Sequence, residues 1–143
     1  MRTQIGLLSV VGFFGLLAAA DAQSLSALPA GTAFDGTYRF VSSTKVSAMY
    51  TLPNGSMLLC PDRIPGPLTI AQGQARYTTD SGHQLEGTVG PQGGLEMRVM
   101  EVGGSRPMEL RTSAAQIDSA GTVRARQVGG ACSYDFVWQK YPT

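Results

Sequence analysis

Histidine is almost missing from this chain, with His83 the only one, and no cysteines or carboxylates cluster around it. Such a sequence has no ligand set for a closed metal site, so neither metal nor cofactor is expected. Charge of either sign is scarce, at 15% of residues, and it balances: 11 Lys plus Arg against 10 Asp plus Glu. Without a basic run or an acidic tail there is no electrostatic footprint for nucleic acid or anionic lipid. The 3.6-residue apolar period of an amphipathic helix is also absent, which excludes a helical bundle.

Catalytic constellations are equally hard to find. His83 follows Gly82 at a turn, and a general base needs an orienting partner and a nucleophile beside it. Asp80 or Asp62 could orient it, but no spacing demands that, and a solvated turn histidine is the plainer expectation. Gly87, Gly90 and Gly93 lead into another strand rather than a helix, so they match no phosphate loop. Glu86 and Glu96 could share a face for glycoside chemistry. Glu86 falls opposite Arg98, however, which lowers a carboxyl pKa where a general acid needs it raised. The expectation is a protein that is not an enzyme.

The first 22 residues carry a clear address. Arg2 precedes an apolar run from Ile5 to Ala20, and Ala20-Asp21-Ala22 reads as an A-x-A cleavage site before Gln23. This is the layout of a secretory signal peptide, with a helical apolar segment too short for a membrane span. Residues 1–22 are therefore expected to be a signal peptide, 23–33 a flexible segment and 34–143 a single β domain. That domain should be exported to the periplasm or secreted, with no membrane span after signal removal. Cys60 and Cys132 both fall within it, and in an oxidising compartment an even pair reads as a disulfide.

Most of the remaining chain reads as strand, turn, strand. Each turn predicts a register, because a correct hairpin places apolar residues opposite one another on one face. Asn54-Gly55, as a two-residue type I′ turn, sets Leu52 opposite Met57 and Tyr50 opposite Leu59. Gln72-Gly73 sets Ile70 opposite Ala75. Asp80-Ser81-Gly82 sets Tyr77 opposite Leu85, and the Gly90–Gly94 turn sets Val89 opposite Leu95. Gly104-Ser105 sets Val99 opposite Leu110, and Ser119-Ala120-Gly121 sets Ile117 opposite Val123. Gly129-Gly130 sets Val123 opposite Phe136, Ala125 opposite Tyr134 and Arg124 opposite Asp135. One phase break, between Leu110 and Ile117, requires a bulge at Ser113–Ala115. The expected fold is all-β: a small antiparallel up-and-down meander closed into a barrel of eight to ten strands, with a β-sandwich as the alternative.

Aromatics then suggest a site. Tyr134, Phe136 and Trp138 alternate on the last strand, and Tyr38 and Phe40 on the first long one. If those strands meet, the five gather either as a packed seam or as the lining of a pocket for a small apolar ligand. A second candidate is the stiff segment 60–67, whose Asp62, Arg63 and Ile64 lie between Cys60-Pro61 and Pro65-Gly66-Pro67.

Phe34-Asp35-Gly36-Thr37-Tyr38, Cys60, Gly87-Thr88-Val89, Gly121-Thr122-Val123 and Cys132 before an aromatic strand together resemble a group of small exported bacterial proteins without an assigned activity. The resemblance spans most of the chain after residue 22 and implies a Gram-negative periplasmic or secreted setting. Small exported barrels that inhibit proteases are a looser analogue. Their two cysteines lie close together near the start, whereas here they are 72 positions apart, so no inhibitory residue carries over. The functional expectation is a non-catalytic β-barrel binding module for a small molecule or an envelope protein. The alternative is an inhibitor or interaction protein acting through loop 60–67.

Overall fold

A computed structural model describes residues 32–99 and 110–142, so the signal-peptide reading, most of segment 23–33 and the Gly104-Ser105 turn lie outside the described residues. A short 3-10 turn, Thr32–Phe34, leads into β1 (Gly36–Lys45). The hairpin β2 (Met49–Thr51) and β3 (Met57–Leu59) follows. A meander then runs through β4 (Leu68–Ala71), β5 (Gln74–Thr78), β6 (Gln84–Val89), β7 (Gly94–Val99), β8 (Arg111–Ile117), β9 (Thr122–Val128) and β10 (Tyr134–Lys140). Eight strands close into a barrel in the order β1-β10-β9-β8-β7-β6-β5-β4, all neighbours antiparallel. The hairpin β2–β3 forms its own two-stranded sheet beside it. The fold is thus a closed barrel, and the sandwich alternative falls away.

Period-two alternation decides which residues fill the interior. Leu68 and Ile70, Ala75 and Tyr77, Leu85 and Val89, Leu95 and Met97, and Val123 and Ala125 are all buried. Most expected registers hold. Ile70 pairs with Ala75 across Gln72-Gly73, both of which adopt the positive φ that a type I′ turn needs. Tyr77 pairs with Leu85, Val89 with Leu95, and Ile117 with Val123. The Val99 N–H donates to the Leu110 carbonyl, in keeping with the register expected across the turn between them. The expected bulge is present too: the β8–β9 register shifts between Ser113 and Gln116, and Ala114 takes a φ of 49°. Burial accordingly switches from Thr112 on one side of the bulge to Ala115 and Ile117 on the other.

Two registers differ. Across Asn54-Gly55 the pairs are Met49 with Leu59, Tyr50 with Leu58 and Thr51 with Met57, one residue away from expectation. Proline is the reason. A two-residue turn would make Pro53 and Ser56 the closing bonded pair, and Pro53 has no N–H to donate. The chain instead closes with Leu52 N–H on the Ser56 carbonyl, leaving Pro53, Asn54 and a positive-φ Gly55 in the loop. Between β9 and β10 the pairs are Val123 with Trp138, Ala125 with Phe136 and Gln127 with Tyr134, a shift of two. A longer loop carries Cys132 to Cys60, with Cα atoms 5.8 Å apart. A slip of two preserves parity, so the aromatics still point inward. The ion pair moves with it: Asp135 meets Arg126, at 2.7 Å, instead of Arg124.

Two stability outcomes follow. Replacing both cysteines by alanine should cost about 4 kcal/mol in the chain-entropy model for a loop of this length, read from denaturant midpoints. Gly87→Ala should be severe, because an added Cβ would sit 1.7 Å from the Glu96 carbonyl oxygen in the neighbouring strand. A loss of roughly 3 kcal/mol, the upper range for overpacking, is expected in the same measurement.

Candidate functional site

Of the five aromatics expected at the seam, four are fully enclosed: Tyr38, Trp138, Tyr134 and Phe136 are each no more than 2% exposed. Phe40 is half-buried against the same cluster. β1 does pair with β10, placing Phe40 opposite Trp138 and Tyr38 opposite Lys140. Phe136 lies edge-on to both Phe40 and Trp138, with centroids 6.4 and 5.5 Å away, and stacks on Tyr134 at 5.9 Å. The seam is therefore a packed core. Tyr77, which contacts Trp138 at 5.2 Å, belongs to it as well.

Buried rings with polar atoms must find partners, and here they fasten the loops. Trp138 Nε1 donates to the Gly66 carbonyl (3.0 Å), and the Tyr134 hydroxyl to the Pro61 carbonyl (2.8 Å). The Gly66 N–H in turn donates to Thr78 O, on β5. The Pro-rich segment 60–67 is thereby laid across one end of the barrel and pinned at Cys60, Pro61 and Gly66. At the other end Asp35 accepts from the backbone N–H groups of Gln72 and Gly73, clamping the β4–β5 turn.

Beneath and beside the pinned segment lies an open cleft of about 190 Å³. Phe136, Tyr134, Leu110 and Cys132 give it an apolar floor, and Thr79, Asp80, Ser81 and Arg63 a polar rim, with Tyr50 from the hairpin closing one side. Arg63 Nη1 bonds Asp80 Oδ1 at 3.0 Å. Burial works against the Arg63 charge, but the Asp80 carboxylate and the Tyr134 hydroxyl outweigh it and hold the guanidinium pKa above its ordinary value. Asp62 is occupied separately, by Lys45 at 2.8 Å. Ile64, between these two pairs, stands 66% exposed.

The interaction-loop residues and the aromatic residues thus converge only in part. Arg63, Tyr134 and Phe136 share the cleft, while Tyr38, Phe40 and Trp138 serve the core and Asp62 and Ile64 face outward. Sequence reasoning missed Asp80, Ser81 and Tyr50 as cleft residues. Their hairpins were legible, but the path of segment 60–67 that brings Arg63 to Asp80 was not.

His83 sits on the same turn as Asp80, its backbone N–H donating to Thr79 Oγ1. Of the acids considered as its partners, Asp80 pairs with Arg63 and Asp62 with Lys45. Among the described residues no group of three His, Cys, Asp or Glu side chains could hold a metal ion. No helix among them is long and apolar enough to cross a membrane. Comparison with protein-family models, curated proteins and solved structures returns no match.

One polar pair lies deep in the interior below the cleft. The Tyr77 hydroxyl donates to Gln127 Oε1 at 2.8 Å, and burial raises the phenol pKa above its ordinary 10.0. A raised folded-state pKa means the contribution is fully present below pH 10.0 and is lost as pH climbs beyond it. Stability should therefore fall on the alkaline side. Tyr77→Phe should flatten that fall while costing roughly 1–3 kcal/mol at neutral pH, since Gln127 loses its donor. Chemical denaturation at pH values on both sides of the ordinary phenol pKa checks both.

Proposed function

We propose that this protein is an exported, non-catalytic binding module that holds a small ligand in the cleft at the disulfide end of its barrel. The observation that carries this reading is the convergence of Arg63 from the Pro-rich segment with Tyr134 and Phe136 from the aromatic strand. A filled interior leaves no room for a ligand inside the barrel, so the mouth is where binding is possible. Its size sets the ligand. At about 190 Å³ the cleft falls below the roughly 300 Å³ of drug-sized pockets. A small molecule, or one side group of a larger one, fits it.

Chemistry narrows the class further. Phe136 and Leu110 offer apolar contact, while the Thr79 and Ser81 hydroxyls offer hydrogen bonds at the rim. Arg63 and Asp80 neutralise each other, so an uncharged ligand with one apolar and one hydroxyl-bearing face suits the site better than an ion. The Cys60–Cys132 bridge supports an oxidising compartment and hence the export reading.

A second reading is favoured by one observation, the exposure of Ile64 on a pinned loop. A preorganised apolar side chain is a low-entropy anchor for a protein partner, and the same loop would then act as an interaction or inhibitory element.

Native mass spectrometry on protein purified gently from its own cells tests the first reading. A mass excess that disappears on denaturation, and is lost in Ser81→Trp, which fills the cleft from its rim, is the expected result. A mass equal to that of the disulfide-bonded chain alone overturns the small-ligand reading.

A further inference from the structure

Six of the eight large apolar side chains exposed among the described residues fall between positions 46 and 64: Val46, Met49, Met57, Leu58, Leu59 and Ile64. Four of them belong to the β2–β3 hairpin, and Leu59 is 74% exposed. No charged residue occurs from Val46 to Pro61. Exposed apolar side chains concentrated in one short stretch point to an interaction site, and an isolated two-stranded hairpin is at best marginally stable in water. The hairpin forms a two-stranded sheet of its own.

Hydrogen bonding shows which edge is open. Leu52 bonds Ser56 and Cys60 bonds Ala48 across the ladder. Bonded and non-bonded pairs alternate in an antiparallel ladder, so Tyr50 and Leu58 form the bonded pair between them. The N–H and C=O groups of Met57 and Leu59 therefore point away from β2. On the β2 side, the Met49 carbonyl already accepts from Ser47 Oγ at 2.8 Å. Among the described residues nothing bonds the outward groups of Met57 and Leu59.

The occupant must supply a strand. A lipid surface cannot, because an open sheet edge leaves unsatisfied backbone groups in hydrocarbon. The flanking cations, Lys45 and Arg63, are also held by Asp62 and Asp80 and so are not free for anionic headgroups. A second copy of this chain can. A two-fold contact brings residues near the axis against their own copies, so any charge there repels itself. An edge inside a charge-free stretch meets that condition.

We propose that β3 pairs with β3 of a second copy, antiparallel about a two-fold axis at Leu58. Met57 then lies opposite the partner subunit's Leu59, and Leu59 opposite the partner subunit's Met57. About four backbone hydrogen bonds join the copies, since two bonded pairs exchange two bonds each. The result is a four-stranded sheet, β2-β3-β3-β2, linking two barrels. With so few residues the contact is smaller than a standard interface and gives a weak, concentration-dependent dimer.

Sedimentation velocity on the purified protein from about 1 µM to about 300 µM brackets such an association. The expected result is a rise from one chain mass towards two. Leu58→Arg places two guanidinium groups at the axis and should weaken association more than roughly tenfold, as like charges in contact do. Thr88→Arg, on the barrel wall, should leave it unchanged. Hydrogen exchange supplies a readout that needs no variant: the Met57 and Leu59 amides should exchange more slowly as concentration rises. A single chain mass across the whole range, or exchange at those amides independent of concentration, overturns the proposal. Ligand mass retained by dilute monomer reports the cleft separately.

Discussion

One strand closes this molecule, and the rest of the structure depends on it. A meander of seven strands, β4 to β10, would leave an exposed edge at each end, and β1 takes both, pairing with β10 along most of its length and with β4 through Gly36–Tyr38. Closure fixes the diameter, and an eight-stranded barrel is just wide enough to be filled by its own side chains. Here Trp138, Tyr38, Tyr77 and Phe136 fill it. Because only the first part of β1 meets β4, the barrel wall is incomplete on that side beyond Leu68. The Pro-rich segment runs into β4 from there, its Gly66 held by Thr78 and by Trp138. Prolines suit this position, since they give up backbone donors that a ladder would need and stiffen a segment that has no ladder.

How much of this was legible in the sequence depended on how local each decision is. The Gln72-Gly73 turn was readable because its type is set by the two residues in it, and the three-residue turns at Gly82 and Gly121 because a positive φ falls naturally on glycine. The bulge was readable from parity alone, since Leu110 and Ile117 cannot face the same way along an unbroken strand. The two failures had a second determinant outside the turn dipeptide. At Asn54-Gly55 it was the missing donor of Pro53, visible in the sequence and overlooked. At Gly129-Gly130 it was Cys132, whose bond to Cys60 draws the loop out by two residues. That constraint acts across the whole domain, and no local reading of the loop contains it.

The candidate site was legible in its parts and not in its assembly. Alternation on β10 marked Tyr134, Phe136 and Trp138 as one inward row, which the structure confirms. It could not show that the row is graded by depth, with Trp138 in the core and Tyr134 at the floor of the cleft. The polar ends of Tyr134 and Trp138 explain that gradient. Each must reach an acceptor, and the acceptors are carbonyls of the segment that covers the barrel end. The core therefore positions the loop, and the loop positions Arg63 beside Asp80. A surface pair of this kind adds little stability by itself, and its consequence is geometric: it holds a partly buried guanidinium at one fixed place on the cleft rim.

The disulfide joins two regimes of stability. On one side is a closed barrel with a buried aromatic core. On the other is a short hairpin with exposed apolar residues and an edge that nothing among the described residues pairs. Elements with few buried contacts open locally at small free-energy cost, and the hairpin would do so if it were tethered only through β1. Cys60, directly after β3, is 1% exposed and bound to the β9–β10 loop, so the hairpin is held at both ends. Tyr50, bonded across the hairpin to Leu58, also lines the cleft. Any contact that orders the hairpin edge thereby orders one wall of the cleft. The reverse holds as well, because coupling between two sites on one ordered element is reciprocal in free energy. Placing the bridge at this junction, away from the centre of the core, ties a short hairpin with no buried residue in either strand to the place where a ligand would sit.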